Sequence, residues 1–160
     1  MKKLVRIAAV LVLIIGVTSG IASAKTLYVT GVDEISNSTY LTPADALTVN
    51  VKLTTYNNQC MTLTFAGEGA ATGASPFNIG FYPSIDGISA VPTAGGSGVV
   101  FWSAAADSYY DTASFTWYQC GLKIGKHAVA IRYAPANSGN TAYIRTRILK
   151  IDITSGKIVP

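Results

Sequence analysis

The chain has 160 residues, of which 49% are hydrophobic and only 12% charged, and this predicts one globular domain with a sizeable core. Three of its twelve basic residues (Lys2, Lys3 and Arg6) precede an apolar N-terminal run, which leaves nine basic and eight acidic residues in the rest of the chain. A net charge so close to zero excludes a general electrostatic attraction to nucleic acid.

Residues 1–24 are predicted to be a cleaved signal peptide. A short basic start is followed by the uncharged run Ile7–Ile15 and by small residues that end in Ala22-Ser23-Ala24, the order typical of a secretory signal. The run is shorter than the about 20 residues that span a bilayer, although an uncleaved anchor is the alternative. No later segment is apolar enough to span a membrane. Residues 25–160 are therefore expected to form a single domain that is secreted, periplasmic or at the cell surface.

The elements predicted beyond the leader are strands. Leu47–Thr54 and Met61–Phe65 alternate apolar with polar residues, as a sheet with one buried face requires. Asn57-Asn58 between them reads as a hairpin turn, and Asp86-Gly87 as a second turn. Strands are predicted at 26–32, 47–54, 61–65, 78–82, 88–91, 99–102, 114–119, 127–133 and 142–153.

The segments between these strands are rich in small and polar residues. Gly67–Pro76 is predicted to be a loop of small residues, and Ala104–Thr112 a loop that carries aromatic and acidic side chains. Eight or nine short strands at this spacing predict an all-β fold, an antiparallel two-sheet sandwich of jelly-roll or Greek-key topology.

Cys60 and Cys120 are the two cysteines of the chain. In an exported protein an even number of cysteines indicates a disulfide, which would close a loop of about 60 residues and stabilise the fold by about 4 kcal/mol. A metal pair or a catalytic thiol is the alternative, but two cysteines without clustered histidines are poor metal ligands.

Several short motifs resemble those of secreted bacterial β-sandwich proteins with a jelly-roll-like layout. They are Phe115–Cys120, a Gly-x-His-x-Val strand start at Gly125–Val129 and an Arg-x-Arg-x-Leu strand at Arg145–Leu149, together with Cys60 and the stretch Phe65–Gly69. In that layout the Gly-x-His turn precedes the penultimate strand. The resemblance supports the fold and implies no activity.

No catalytic set stands out in the sequence. His127 is the single histidine, and no Gly-x-Ser-x-Gly elbow accompanies it, so we interpret it as a satisfied surface or strand-edge histidine. The carboxylates show no spacing that pairs them for glycoside hydrolysis. Arg145 and Arg147 are expected to share a strand face with Leu149 and Ile151, at the end where the strand leaves the core. A paired acidic partner, or an anion or subunit interface, is the alternative.

Aromatic side chains are concentrated between residues 102 and 118. Sugar rings stack on exposed aromatic faces, and loops on a rigid sandwich commonly carry binding residues. The candidate ligand-binding residues are Trp102, Tyr109, Tyr110 and Tyr118, whereas Trp117 alternates with Phe115 and is assigned to the core.

Asp107 and Asp111 are the candidate metal ligands. With Ser108 and backbone carbonyls they could help to hold Ca²⁺, although the sequence contains no EF-hand or Gly-Asp repeat. No other cofactor is predicted.

Three functions remain after these observations. The first is a secreted, non-enzymatic binding module for carbohydrate or another cell-surface ligand. The alternative is a self-associating structural or filament subunit, in which the segment Lys25–Tyr40 pairs with a neighbour's sheet edge. This structural alternative is suggested by an uneven charge distribution, with seven acidic and two basic residues in 25–120 but seven basic and one acidic in 121–160. A small hydrolase ranks third.

Overall fold

The computed structural model describes residues 25–40, 42–54, 58–91, 100–103 and 110–155. Every regular secondary-structure element in these ranges is a β-strand. These strands are β1 Lys25–Gly31, β2 Ile35–Asn37, β3 Ala44–Leu53, β4 Gln59–Thr72, β5 Asn78–Ile85, β6 Ile88–Ser89, β7 Val100–Ser103, β8 Asp111–Leu122, β9 Gly125–Pro135 and β10 Thr141–Ser155. The all-β prediction is confirmed, while the predicted leader lies outside the described residues. Within those ranges no helix is long and apolar enough to cross a bilayer.

The strands form two antiparallel sheets, as predicted. Sheet A has the order β1-β10-β4-β8, with β2 also paired to β10, and sheet B has the order β3-β9-β5-β6, with β7 also paired to β5. After β2 the chain passes to the other sheet at each connection, apart from those that join β5, β6 and β7. This alternation is the topology of a jelly roll, one of the two that the sequence predicts.

The core lies between the sheets and follows the predicted alternation. Rings of both sheets meet there, with Phe81 of sheet B 5.2 Å from Phe65 and 5.5 Å from Phe115 of sheet A, measured between centroids. Trp117 is fully buried beside Phe115, which confirms its assignment to the core. On β9 the residues Val129, Ile131 and Tyr133 share the buried face, as the pattern predicts.

The predicted hairpin at Asn57-Asn58 is wrong. The strands on either side of it belong to different sheets, since β3 pairs with β9 whereas β4 pairs with β8 and β10. Two alternating strands with a turn between them fit a crossover between sheets as well as a hairpin, because both bury one face. The Asp86-Gly87 turn is different, since both residues have positive φ and β6 pairs back onto β5 across it.

The predicted loop at Gly67–Pro76 is also wrong over its first half. Residues 67–72 extend β4 and pair with β10 on one side, and Gly67–Gly69 pair with β8 on the other. The small side chains that suggested a loop are packed here, with Ala70 and Ala71 buried. A central strand tolerates such residues where its neighbours supply the hydrogen bonds and cover the surface.

The segment Lys25–Tyr40 lies in the chain's own sheet. All seven residues of β1 pair with β10 from Lys25↔Ile153 to Gly31↔Arg147, and β2 continues along the same strand. The filament hypothesis placed this segment in a neighbour's sheet, so exchange between molecules would first have to break this pairing. Self-association stays a prediction.

A bulge in β10 separates the two arginines that were expected to share a face. Thr146 has φ 41°, and the register with β4 shifts between Arg145 and Arg147. The extra residue turns Arg145 outwards and Arg147 inwards, so the expectation of a common face is wrong. The alternative of acidic partners is confirmed, because Arg145 pairs with Glu68 and Arg147 with Asp33.

Candidate binding face

The outer surface of sheet A is a broad face of hydroxyl and aromatic side chains. Because successive residues of a strand point to opposite sides, the residues that alternate with the core positions of β1, β4, β8 and β10 all point outwards. Cross-strand register sets them in rows, here called the outer face: Thr26–Asp152–Thr62–Tyr118, then Tyr28–Lys150–Thr64–Thr116, then Thr30–Ile148–Ala66–Ser114.

Two tyrosines at opposite edges of the outer face expose their rings. Tyr28 on β1 is 66% exposed and Tyr118 on β8 is 44% exposed. They lie three strand spacings apart and two residues out of line, which is a separation of roughly 16 Å. An exposed, rigidly mounted aromatic ring is an apolar platform with a polar end, the type of side chain that stacks on planar or ring-shaped ligands.

The surface between these tyrosines is polar and internally hydrogen-bonded. The Thr26 hydroxyl donates to Asp152 at 2.7 Å, and Lys150 pairs with the same carboxylate at 2.8 Å. Hydrogen bonds from Lys150 and Thr26 lower the pKa of Asp152, so this carboxylate stays ionised. The hydroxyls of Thr64 and Thr116 lie 3.3 Å apart. These contacts fix the positions of the groups that a ligand would meet.

Comparisons with known proteins place the fold only loosely. No family model matches the chain, and no curated protein matches its sequence. A solved structure described as "EclA C-terminal domain; sugar-binding protein" is similar, with a TM-score of 0.38 and 12% sequence identity over 83% of this chain and 84% of that chain. Function depends on the residues of a site and not on the fold that carries them.

Of the predicted ligand residues, Tyr118 lies on the outer face and Tyr110 at its far end. Tyr118 is in β8 and Tyr110 immediately precedes that strand, so the two lie eight residues apart, or roughly 27 Å along an extended chain. The backbone of Trp102 pairs with Ile79 in sheet B, so the predicted aromatic group is divided between the two sheets. Tyr109 lies outside the described residues. The ligand roles of all four stay predictions.

Tyr110 is engaged by its neighbours on the molecule. Its hydroxyl donates to the Glu34 carboxylate, and the Arg145 guanidinium lies 3.8 Å from its ring centroid, a cation–π contact. Burial and the Glu34 hydrogen bond raise the pKa of Tyr110 to about 12. Arg145 also donates to Glu68 at 2.9 Å. One face of this ring is therefore already covered, unlike the rings of Tyr28 and Tyr118.

Sequence reasoning missed Tyr28, although the signal was present. In Lys25–Gly31 the apolar Leu27 and Val29 alternate with Thr26, Tyr28 and Thr30, and this alternation assigns the tyrosine to the outward face. The density of aromatic residues along the chain points instead to residues 102–118. Distance along the chain is a poor guide in a jelly roll, because β1 and β8 are brought onto one face only by the intervening strands.

The candidate calcium ligands stay untested. Asp111 is the exposed first residue of β8, and its carboxylate accepts the N–H of Thr112 at 2.7 Å, whereas Asp107 lies outside the described residues. In the part of the chain that the structure describes, no three acidic, histidine or cysteine side chains gather as a metal site would require.

The predicted Cys60–Cys120 disulfide is present. It joins Cys60, near the start of β4, to Cys120, near the end of β8, and these two strands are neighbours in sheet A. Cys120 lies two residues beyond Tyr118 on the same outward side. The bridge therefore holds one edge of the outer face in place, and a disulfide in the fold is consistent with an extracellular protein.

His127 is buried rather than at the surface, with 7% of its area exposed, but it is satisfied as predicted. Its Nδ1 lies 2.7 Å from the Asp86 carboxylate, and its Nε2 lies 2.8 Å from the Lys123 carbonyl oxygen. Carbonyl and carboxylate oxygens both accept, so the ring makes both hydrogen bonds only in the imidazolium form, in which both nitrogens carry protons. In a Ser-His-Asp triad the second nitrogen faces the serine; here the main chain occupies it, which argues against the hydrolase hypothesis.

The His127–Asp86 pair predicts a loss of stability as the pH rises above neutrality. Burial would lower the pKa of His127, but the Lys123 carbonyl and the Asp86 carboxylate outweigh it and raise this pKa above 6.5. Stability from the imidazolium is thus complete below about pH 6.5 and is lost as the pH rises through the folded-state pKa. Because Asp86 is partly exposed, we expect a loss of about 1 kcal/mol by pH 9.

Urea unfolding between pH 6 and pH 9 measures this loss, with His127→Gln as the control whose stability should vary less with pH. The Asp86 carboxylate limits the effect at the acid end. Burial would raise its pKa, but hydrogen bonds from His127 and the Ala128 N–H lower it, so its contribution is lost only below about pH 4. Equal pH dependence in the wild type and the glutamine variant would contradict the assignment.

Proposed function

We propose that this chain is a secreted, non-enzymatic carbohydrate-binding module whose ligand lies on the outer face of sheet A. The observation that carries the proposal is the pair of exposed rings, Tyr28 and Tyr118, at opposite edges of a hydroxyl-rich sheet surface. Pyranose rings offer an apolar side for stacking and hydroxyls for hydrogen bonding, and this face supplies partners for both.

The rigidity of the face supports the same function. Four paired strands carry it, and the Cys60–Cys120 bridge ties its β8 edge to β4. A preformed surface loses little conformational entropy when it binds, which matters for ligands that contribute few strong contacts per ring. Both ring nitrogens of His127 contact groups of the protein itself, so this histidine is not placed to activate a nucleophile, and a binding role is better supported than a hydrolytic one.

A glycan screen followed by affinity measurement tests the proposal. We expect Tyr28→Ala and Tyr118→Ala each to lower the affinity for a bound glycan about tenfold, because each removes one stacking platform. Tyr40→Ala is the matched control, since Tyr40 is a similarly exposed tyrosine in the segment between β2 and β3. Circular dichroism checks that all three variants remain folded.

Two results would overturn the proposal. The first is a broad screen in which no glycan binds the wild-type protein. The second is binding that both variants of the outer face leave unchanged, which would place the ligand elsewhere.

A further inference from the structure

The charges of the outer face are balanced within the molecule. The three rows of the outer face hold one cation and one anion, Lys150 and Asp152, which pair at 2.8 Å, and beyond the rows Arg145 pairs with Glu68 at 2.9 Å. Each of these cations therefore already has an anion as its neighbour, and the three rows of the outer face have no net charge. Such a surface offers hydrogen bonds without attracting a charged ligand from a distance.

The described lysines that form no ion pair are Lys25, at the start of β1, and three that lie on or beside sheet B. Lys52 on β3 and Lys126 on β9 are directly opposite each other in the register of sheet B, and both are exposed. Lys123 lies in the short turn before β9. Among the described residues, none of these three forms an ion pair. An acidic polymer would accordingly meet three lysines at this end of sheet B, whereas on sheet A Lys25 is the one described lysine that forms no ion pair.

The two tyrosines are also too far apart to grip one sugar. A separation of roughly 16 Å exceeds the width of a single pyranose ring several times, while the strip between them presents Thr62, Thr64 and the Lys150–Asp152 pair. A ligand that contacts both rings must be a chain that runs obliquely across all four strands of sheet A.

We propose that the outer face binds an extended, uncharged polysaccharide chain along the line from Tyr28 to Tyr118, and not a terminal sugar or an acidic glycan. This inference rests on the proposed function and specifies its ligand class. Two linked contacts on one chain reinforce each other, because once the first ring is stacked the second contact forms within the same complex. Affinity should therefore rise steeply once the chain reaches both rings.

Affinity electrophoresis tests the charge of the ligand. The purified protein is run through gels that contain a neutral glucan or glucomannan, or the acidic alginate or polygalacturonate, at low and high sodium chloride. We expect retardation by a neutral polysaccharide that salt does not change. The double variant Lys52→Gln, Lys126→Gln should be retarded equally, since these lysines lie on the other sheet.

Titration calorimetry with neutral oligosaccharides of increasing length tests the two-ring geometry. We expect oligosaccharides long enough to reach both tyrosines to bind at least tenfold more tightly than a disaccharide. Tyr28→Ala and Tyr118→Ala should each remove most of this gain, and the affinity for the disaccharide should change by less than about threefold, since each variant keeps one of two platforms.

The outcomes separate this inference from the proposed function. If no polysaccharide retards the protein and no glycan binds in the screen, both fail; if a short glycan binds but no polysaccharide does, only this inference fails. If only acidic polysaccharides bind, and salt or the Lys52→Gln, Lys126→Gln variant abolishes the binding, the function survives but the uncharged ligand does not. If a disaccharide binds as tightly as a long chain, the two-ring geometry is overturned.

Discussion

Loss of the Cys60–Cys120 disulfide is expected to lower the free energy of unfolding by about 4 kcal/mol. The bridge closes 60 residues of sequence, and in the chain-entropy model a loop of that length makes the unfolded state less favourable by this amount. The effect is large for a single domain, because total stability is typically only about 5–15 kcal/mol.

Urea unfolding of the wild-type protein and of the Cys60→Ala, Cys120→Ala double variant measures the loss. Added reductant should destabilise the wild type by a similar amount and leave the double variant unaffected, which is the internal control. The strands it joins are already neighbours in sheet A, so the folded double variant should keep its far-ultraviolet circular dichroism. A difference below about 1 kcal/mol would mean that the unfolded chain keeps β4 and β8 together without the bridge.

The fold class was predictable from the sequence because alternation reports burial directly. In Leu47–Leu53 and Met61–Phe65 the alternate apolar residues share one face of the strand, which has to be buried. The structure buries Val51, Leu53, Leu63 and Phe65, as that pattern requires. The cysteine count predicted the disulfide in the same way. These inferences depend on one residue and its immediate neighbours, which the sequence contains.

The pairing of strands was not predictable by the same reasoning. Asn57-Asn58 satisfies the chemistry of a tight turn, yet it lies where the chain passes from sheet B to sheet A. Whether two strands pair or separate depends on which partners compete for their edges. β4 has two better partners, β8 and β10, which lie about 50 and 80 residues further along the chain.

The candidate binding face was likewise predictable from the sequence only in part. Alternation assigns Tyr28 and Tyr118 to outward positions, but only the strand order β1-β10-β4-β8 places both on one surface. The outward orientation of each residue could thus be derived from the sequence, while their common face could not. Arg145 was placed wrongly for a third reason, because a bulge at Thr146 reverses the alternation and leaves no periodic signal.

Arg147→Met is expected to cost about 3 kcal/mol of stability, mainly through unpaired backbone acceptors. The Arg147 side chain is 6% exposed; its Nε donates to the Ala46 carbonyl at 2.9 Å, and the same guanidinium donates to the main-chain oxygen and carboxylate of Asp33. The Asp33 side chain is 72% exposed, so its ion pair contributes little by itself. The larger loss comes from the buried Ala46 carbonyl, which is left without its donor at a cost of about 1–3 kcal/mol, with a smaller loss at the part-buried Asp33 carbonyl.

Gly31 makes this assignment testable by a double-mutant cycle. A Cβ at Gly31 would lie 2.7 Å from Cζ of Arg147 and 2.9 Å from its Nε. The φ of Gly31 is outside the left-handed region, so the backbone itself allows alanine there. Moving the guanidinium would break its hydrogen bonds to Ala46 of β3 and to Asp33 after β1, which costs free energy. We therefore expect Gly31→Ala to cost about 2 kcal/mol in the wild type by displacing Arg147.

In the Arg147→Met background the same Gly31→Ala change should cost less than about 1 kcal/mol, because the flexible methionine can move aside, which gives a coupling of at least about 1 kcal/mol. Thr30→Ala is the matched control. It changes the adjacent residue of β1, whose side chain points to the outer face, and should show no coupling with Arg147→Met. Additive costs for Gly31→Ala and Arg147→Met would mean that the arginine does not depend on the space that glycine leaves. Strong coupling would show that an absent side chain on β1 and a bulge on β10 act together, so that the charge enters the sandwich to link β10 of sheet A with β3 of sheet B.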